Sequence, residues 1–94
     1  MNAPPQLSIP RLEKMREEID ALDREISGLL LRRFEIASAL GKLKHDLGLP
    51  VKDSNREHDV LERVATSLAD SPLRQHVLNL YERILQESCD AQHS

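Results

Sequence analysis

The chain has 94 residues, 31% of them charged and only 2% aromatic, with no tryptophan, a net charge of −3 and an isoelectric point near 5.8. That length sustains one small domain, and the acidic balance with so few aromatic rings excludes a general nucleic-acid binder. A single cysteine, Cys89, excludes an internal disulfide, and four histidines that are never three or four apart argue against zinc.

Residues 1–8 (MNAPPQLS) are proline-rich and polar, which predicts a flexible N-terminal segment ahead of a single helical domain over 9–94. The segment has no apolar core for a signal peptide and no stretch of the chain suits a membrane span, so the expected location is the cytoplasm. Ser8 is placed to cap the first helix, with Pro10 in its first turn. From there a stripe runs Leu12, Met15, Ile19, Leu22, Ile26, Leu29, Arg33, Ile36, Leu40, Leu43 and Leu47. Its alternating spacing of three and four predicts one long α-helix packed along a seam. Gly48 as a C′ residue and Pro50 as a stop end it. Gly28 and Gly41 interrupt the helix, and their ordinary reading is close approach of another backbone.

Ser54 and Glu57 fit a capping box at the start of a second helix, whose stripe is Val60, Leu61, Val64 and Leu68. Ser71 as cap and Pro72 as first residue open the third, which carries Leu73, Val77, Tyr81, Ile84 and Leu85. The fold class is therefore all-α, three helices with one very long first helix. Length then decides the assembly. A helix of about 37 residues spans roughly 55 Å, whereas a compact domain of this size is about 32 Å across. The uncovered heptads need another chain, and an intertwined antiparallel homodimer supplies one.

Charged and polar residues on or beside these stripes point to a site. Arg33 stands where the seam calls for leucine or isoleucine, and an unpaired guanidinium there must meet water or an anion. Lys44, eleven residues on, faces within about 20° of it and roughly 16 Å along the helix, a gap that two long side chains can clamp across. Arg16 is about 25 Å from Arg33 along the axis, so it shares a site only with the Arg33 of a partner chain. Asp53, Arg56 and Glu57 share a face of the second helix, and Ser88 and Gln92 replace apolar residues on the third. Each also has an ordinary reading: Arg16 paired with Asp20, Arg33 fixing register, Lys44 snorkelling, Glu57 capping, Gln92 fraying, Cys89 a small buried filler.

Taken together, Arg16, Arg33, Lys44, the Asp53-x-x-Arg56-Glu57 opening of the second helix and Ser88-x-x-x-Gln92 near the end of the third resemble the all-helical class of chorismate mutase over about residues 10–92. The resemblance implies rearrangement of the dianion chorismate to prephenate in one pericyclic step, with no metal or cofactor. It implies that Arg33 and a partner's Arg16 hold the two carboxylates with help from Ser88, and that Lys44 and Gln92 donate to the ether oxygen. Glu57 then accepts from the ring hydroxyl, with Arg56 and Asp53 shaping that corner and Leu40 and Leu85 as apolar walls. Four cations less two anions leave +2 against a substrate of −2. An isochorismate-pyruvate lyase of the same fold and a non-catalytic helical dimerisation or regulatory module are the alternatives.

Overall fold

The computed structural model describes residues 5–93, and three helices account for most of them: α1 (Pro5–Asp46), α2 (Ser54–Ser67) and α3 (Arg74–Gln92). No strand occurs among the described residues. The expectation of flexibility over residues 1–8 lies in part outside the described residues. Where it can be read, α1 already begins at Pro5, a turn before Ser8, so Ser8 and Pro10 sit within the helix rather than at its start. A proline's fixed φ is compatible with a first helical turn, which is why the helix can open there.

The end of α1 follows the sequence closely. The Gly48 amide donates to the His45 carbonyl at 3.1 Å and the Leu49 amide to the Lys44 carbonyl at 2.8 Å, with Gly48 at φ +69°. This is the paired 5→2 and 6→1 bonding of a Schellman ending, which an L side chain at the left-handed position would strain. At α2 the cap moves by one residue. Asp53, not Ser54, precedes the helix in extended conformation, and its Oδ1 accepts from the Arg56 amide at 3.0 Å. Glu57 is therefore the fourth helical residue, one too far along for the capping-box partner, and is released for another role. The third helix opens later than Ser71-Pro72 suggested. Ser71 Oγ accepts from the Leu73 amide at 3.2 Å in the turn before Arg74, and no side chain caps the helix itself.

Contacts divide the chain into two units, one up to Arg32 and one from Arg33 onward. The first is a run of α1 whose stripe residues, Leu12 to Leu29, are all exposed. In the second, α2 packs on α3, and the buried residues are few: Ala37, Gly41, Leu85 and Ser88. Among the described large apolar side chains Leu85 alone is buried, at 7% exposure, while Ile36, Leu43 and Leu47 stay exposed. Gly41 is the point of closest approach. A Cβ placed there would lie 2.1 Å from the Gln92 carbonyl oxygen and 2.6 Å from its Cα. The expectation of a close backbone approach thus holds at Gly41, whereas a Cβ at Gly28 meets nothing within 4 Å.

Candidate active site

Along the part of α1 that follows Arg32, the residues Arg33, Ala37, Gly41 and Lys44 recur at spacings of four, four and three and so share one face. The two small residues in the middle let α3 approach, and the two cations at the ends reach its polar side chains. Arg33 Nη1 donates to Ser88 Oγ, and Lys44 Nζ donates to Gln92 Oε1 at 2.7 Å. Ser88 and Gln92 are themselves four apart on α3, so the two bonds lie a helical turn from one another.

These groups are held rather than loose. Ser88 is 6% exposed, and its hydroxyl proton goes to the Ile84 carbonyl at 2.7 Å, leaving its lone pairs to face Arg33. Lys44 Nζ also donates to the Val51 carbonyl at 2.8 Å, so two of its three protons are committed and one is left for a ligand. The ammonium fixes the Gln92 amide with its oxygen toward Lys44. The Gln92 nitrogen donates to the Ser88 carbonyl at a long 3.3 Å and retains a second proton. A half-buried Glu57 forms an ion pair with Lys52, Nζ to Oε2 at 2.7 Å and to Oε1 at 3.0 Å. The bond to Glu57 raises the Lys52 pKa above its ordinary value.

A cavity of about 280 Å³ opens between these side chains. Seven of the eight residues singled out in the sequence line it: Arg33, Lys44, Asp53, Arg56, Glu57, Ser88 and Gln92. Leu40 and Leu85 supply apolar wall as expected, joined by Ile36, Val60 and Cys89. Cys89 was expected to be buried and is instead half-buried on the cavity side. The eighth residue, Arg16, is an exposed residue of the N-terminal unit and is not among the lining side chains. Three lining cations against two carboxylates make the cavity positive in an acidic chain, a setting suited to a small anion. Two contributors were not legible beforehand. Val51 acts through a backbone carbonyl, which carries no side-chain signal, and Lys52 is one exposed lysine among several until its partner is known.

Among the described residues no group of histidine, cysteine or carboxylate side chains is arranged to hold a metal, and no helix is long and apolar enough to cross a membrane.

Comparison with known proteins identifies the family. The family model described as chorismate mutase type II matches residues 15–93. The bifunctional chorismate mutase/prephenate dehydratase of Escherichia coli K12 is 39% identical over 75 residues, which are 79% of this chain and 19% of that protein. The 4-amino-4-deoxychorismate mutase of Streptomyces venezuelae is 33% identical over 79 residues, covering 83% of this chain and 77% of the relative. A solved structure of a conserved hypothetical protein from Pyrococcus furiosus shares the fold with a TM-score of 0.72 at 40% identity, covering 87% of this chain and 95% of that one. The chain thus spans about a fifth of the length of the bifunctional relative and most of the length of the other two. With the family model covering all three helices but for the first turns of α1, the chain belongs to the chorismate mutase type II family.

Proposed function

We propose that the protein rearranges chorismate to prephenate as an antiparallel homodimer of a single helical domain (residues 9–94), working in the cytoplasm. The observation that carries this reading is the convergence of Arg33, Lys44, Arg56, Glu57, Ser88 and Gln92 on one positively charged cavity.

The reaction needs no acid, base or nucleophile. The enolpyruvyl ether folds over the ring, one carbon–carbon bond forms as the ether carbon–oxygen bond breaks, and negative charge grows on the ether oxygen. Holding the substrate in that folded conformer lowers the barrier through orientation. Arg33 takes one carboxylate through the guanidinium edge that Ser88 does not occupy, since a guanidinium offers five donors and Ser88 engages one nitrogen. The partner's Arg16 takes the other. Lys44, with its remaining proton, and the Gln92 amide nitrogen donate to the ether oxygen. One well-placed donor at a developing charge contributes about 3–4 kcal/mol. A millionfold acceleration needs about 8 kcal/mol, so two such donors with conformational restriction are enough.

Glu57 accepts from the ring hydroxyl, while Asp53 and Arg56 shape that corner. The Lys52 ion pair bears on the choice of substrate. The name of the Streptomyces relative raises a second candidate, with an amine in place of the ring hydroxyl. A substrate ammonium would have to share Glu57 with the Lys52 ammonium, whereas a neutral hydroxyl needs only one lone pair, and this favours chorismate.

The dimer is supported by the exposed stripe of α1, because a run of large apolar side chains this long on one helix face is ordinarily covered. The test of the function is a metal-free turnover assay on chorismate with products separated by chromatography. Prephenate above the uncatalysed blank is the expected result. A folded dimer without turnover overturns the reading and leaves the isochorismate lyase or a dimerisation module.

A further inference from the structure

Gly41 is not itself equipped to touch a ligand, yet it stands between Leu40 and Lys44 of the cavity and directly under the last residue of α3. The three heavy atoms nearest to an added Cβ are the carbonyl oxygen, Cα and carbonyl carbon of Gln92, at 2.1, 2.6 and 2.7 Å. Real Cβ atoms do not approach backbone this closely, and backbone cannot swing aside as the tip of a side chain can. The relief must come from displacement of one of the two helices. That displacement falls on α3, because Gln92 is its final residue and a helix end frays at small cost, whereas Gly41 lies inside α1. Moving the Gln92 backbone withdraws the amide from Lys44, whose 2.7 Å bond lies one helical turn beyond Gly41.

We infer that Gly41 is a positioning residue for Gln92: its missing side chain seats the end of α3 so that the Gln92 amide meets Lys44 inside the cavity. This rests on the reading of the cavity as the site of chorismate rearrangement. A misplacement of about 1 Å in a reacting geometry costs on the order of 100-fold, so Gly41→Ala is expected to lower kcat by about 10- to 100-fold while leaving helix content intact.

A double-mutant cycle separates positioning from a general structural role. The variants Gly41→Ala, Gln92→Ala and the pair are compared for kcat and KM on chorismate, with circular dichroism as the check on folding. If Gly41 acts through Gln92, adding Gly41→Ala to Gln92→Ala lowers kcat by less than about twofold. Equal losses in both backgrounds mean that Gly41 supports the fold as a whole, and the inference falls. It falls as well if Gly41→Ala leaves kcat unchanged, or if the variant loses its helical signal, since the displacement is then absent or not local. The underlying reading fails separately: Gln92→Ala with undiminished kcat removes Gln92 from the reaction whatever Gly41 does.

Discussion

The stretch of α1 up to Arg32 and the unit that begins at Arg33 carry one apolar stripe, exposed in both, but only the second adds a face turned to α3. Before Arg33 the stripe is unbroken leucine, isoleucine and methionine, every one of them exposed, with Leu22 at 54%. From Arg33 onward the same helix presents a cation, two small residues and a second cation to α3, and the buried set there includes a serine and a glycine. The first stretch has surface that needs covering and, in the proposed dimer, gives a site only Arg16. The second has a positive cavity and little apolar core. A periodic apolar stripe therefore marks a face to be covered, and an interruption of it by charge at the same register marks a candidate site.

Breaking the second region should have the largest effect. Arg33→Leu restores the apolar rhythm but removes the guanidinium bound to Ser88. Loss of one such charged donor predicts a fall in kcat/KM of about 1,000-fold, measured by chorismate turnover, with thermal stability unchanged or raised. A variant that stays active is no enzyme of this kind at this cavity.

Breaking the first region should act through association instead. Leu22→Lys places a charge in the middle of the exposed stripe. On an isolated chain such a change is nearly neutral, within about 0.5 kcal/mol. In a dimer seam it desolvates an ammonium, so sedimentation should show dissociation at concentrations where the unaltered protein is paired, and activity should fall with it. Unchanged sedimentation would sever the stripe from the assembly.

The smallest effect sharpens the boundary between structure and site. Asp53→Ala removes the cap that receives the Arg56 amide and should cost about 1 kcal/mol in chemical denaturation. Turnover should fall by less than about tenfold, because Asp53 stands at the exposed edge of the cavity and caps the element that carries Arg56 and Glu57.

Much of this was legible in the sequence, for reasons that differ by residue. Periodicity gave three helices and set Arg33 apart, because a charge at a seam position violates the rhythm around it. The Gly48 ending was readable because only a left-handed residue closes a helix that way. The caps of α2 and α3 were legible to within two residues, whereas α1 already runs through Ser8; Asp53 and Ser54 are both good caps and adjacent, so composition does not choose between them. What stayed hidden depends on tertiary contact. The carbonyl of Val51 that holds Lys44, the Lys52–Glu57 pair and the clash that an alanine at Gly41 would make with Gln92 all join residues that local spacing does not connect.

The most direct test of a chorismate site completed by a second copy mixes two inactive chains, Arg16→Ala and Arg33→Ala, after denaturation and refolding together. Random pairing makes half of the dimers mixed. Each mixed dimer has one site with both arginines intact and one with neither, so turnover should return to about one quarter of the unaltered protein's. No recovery, with mixed dimers confirmed by mass spectrometry, would contradict a site shared between chains.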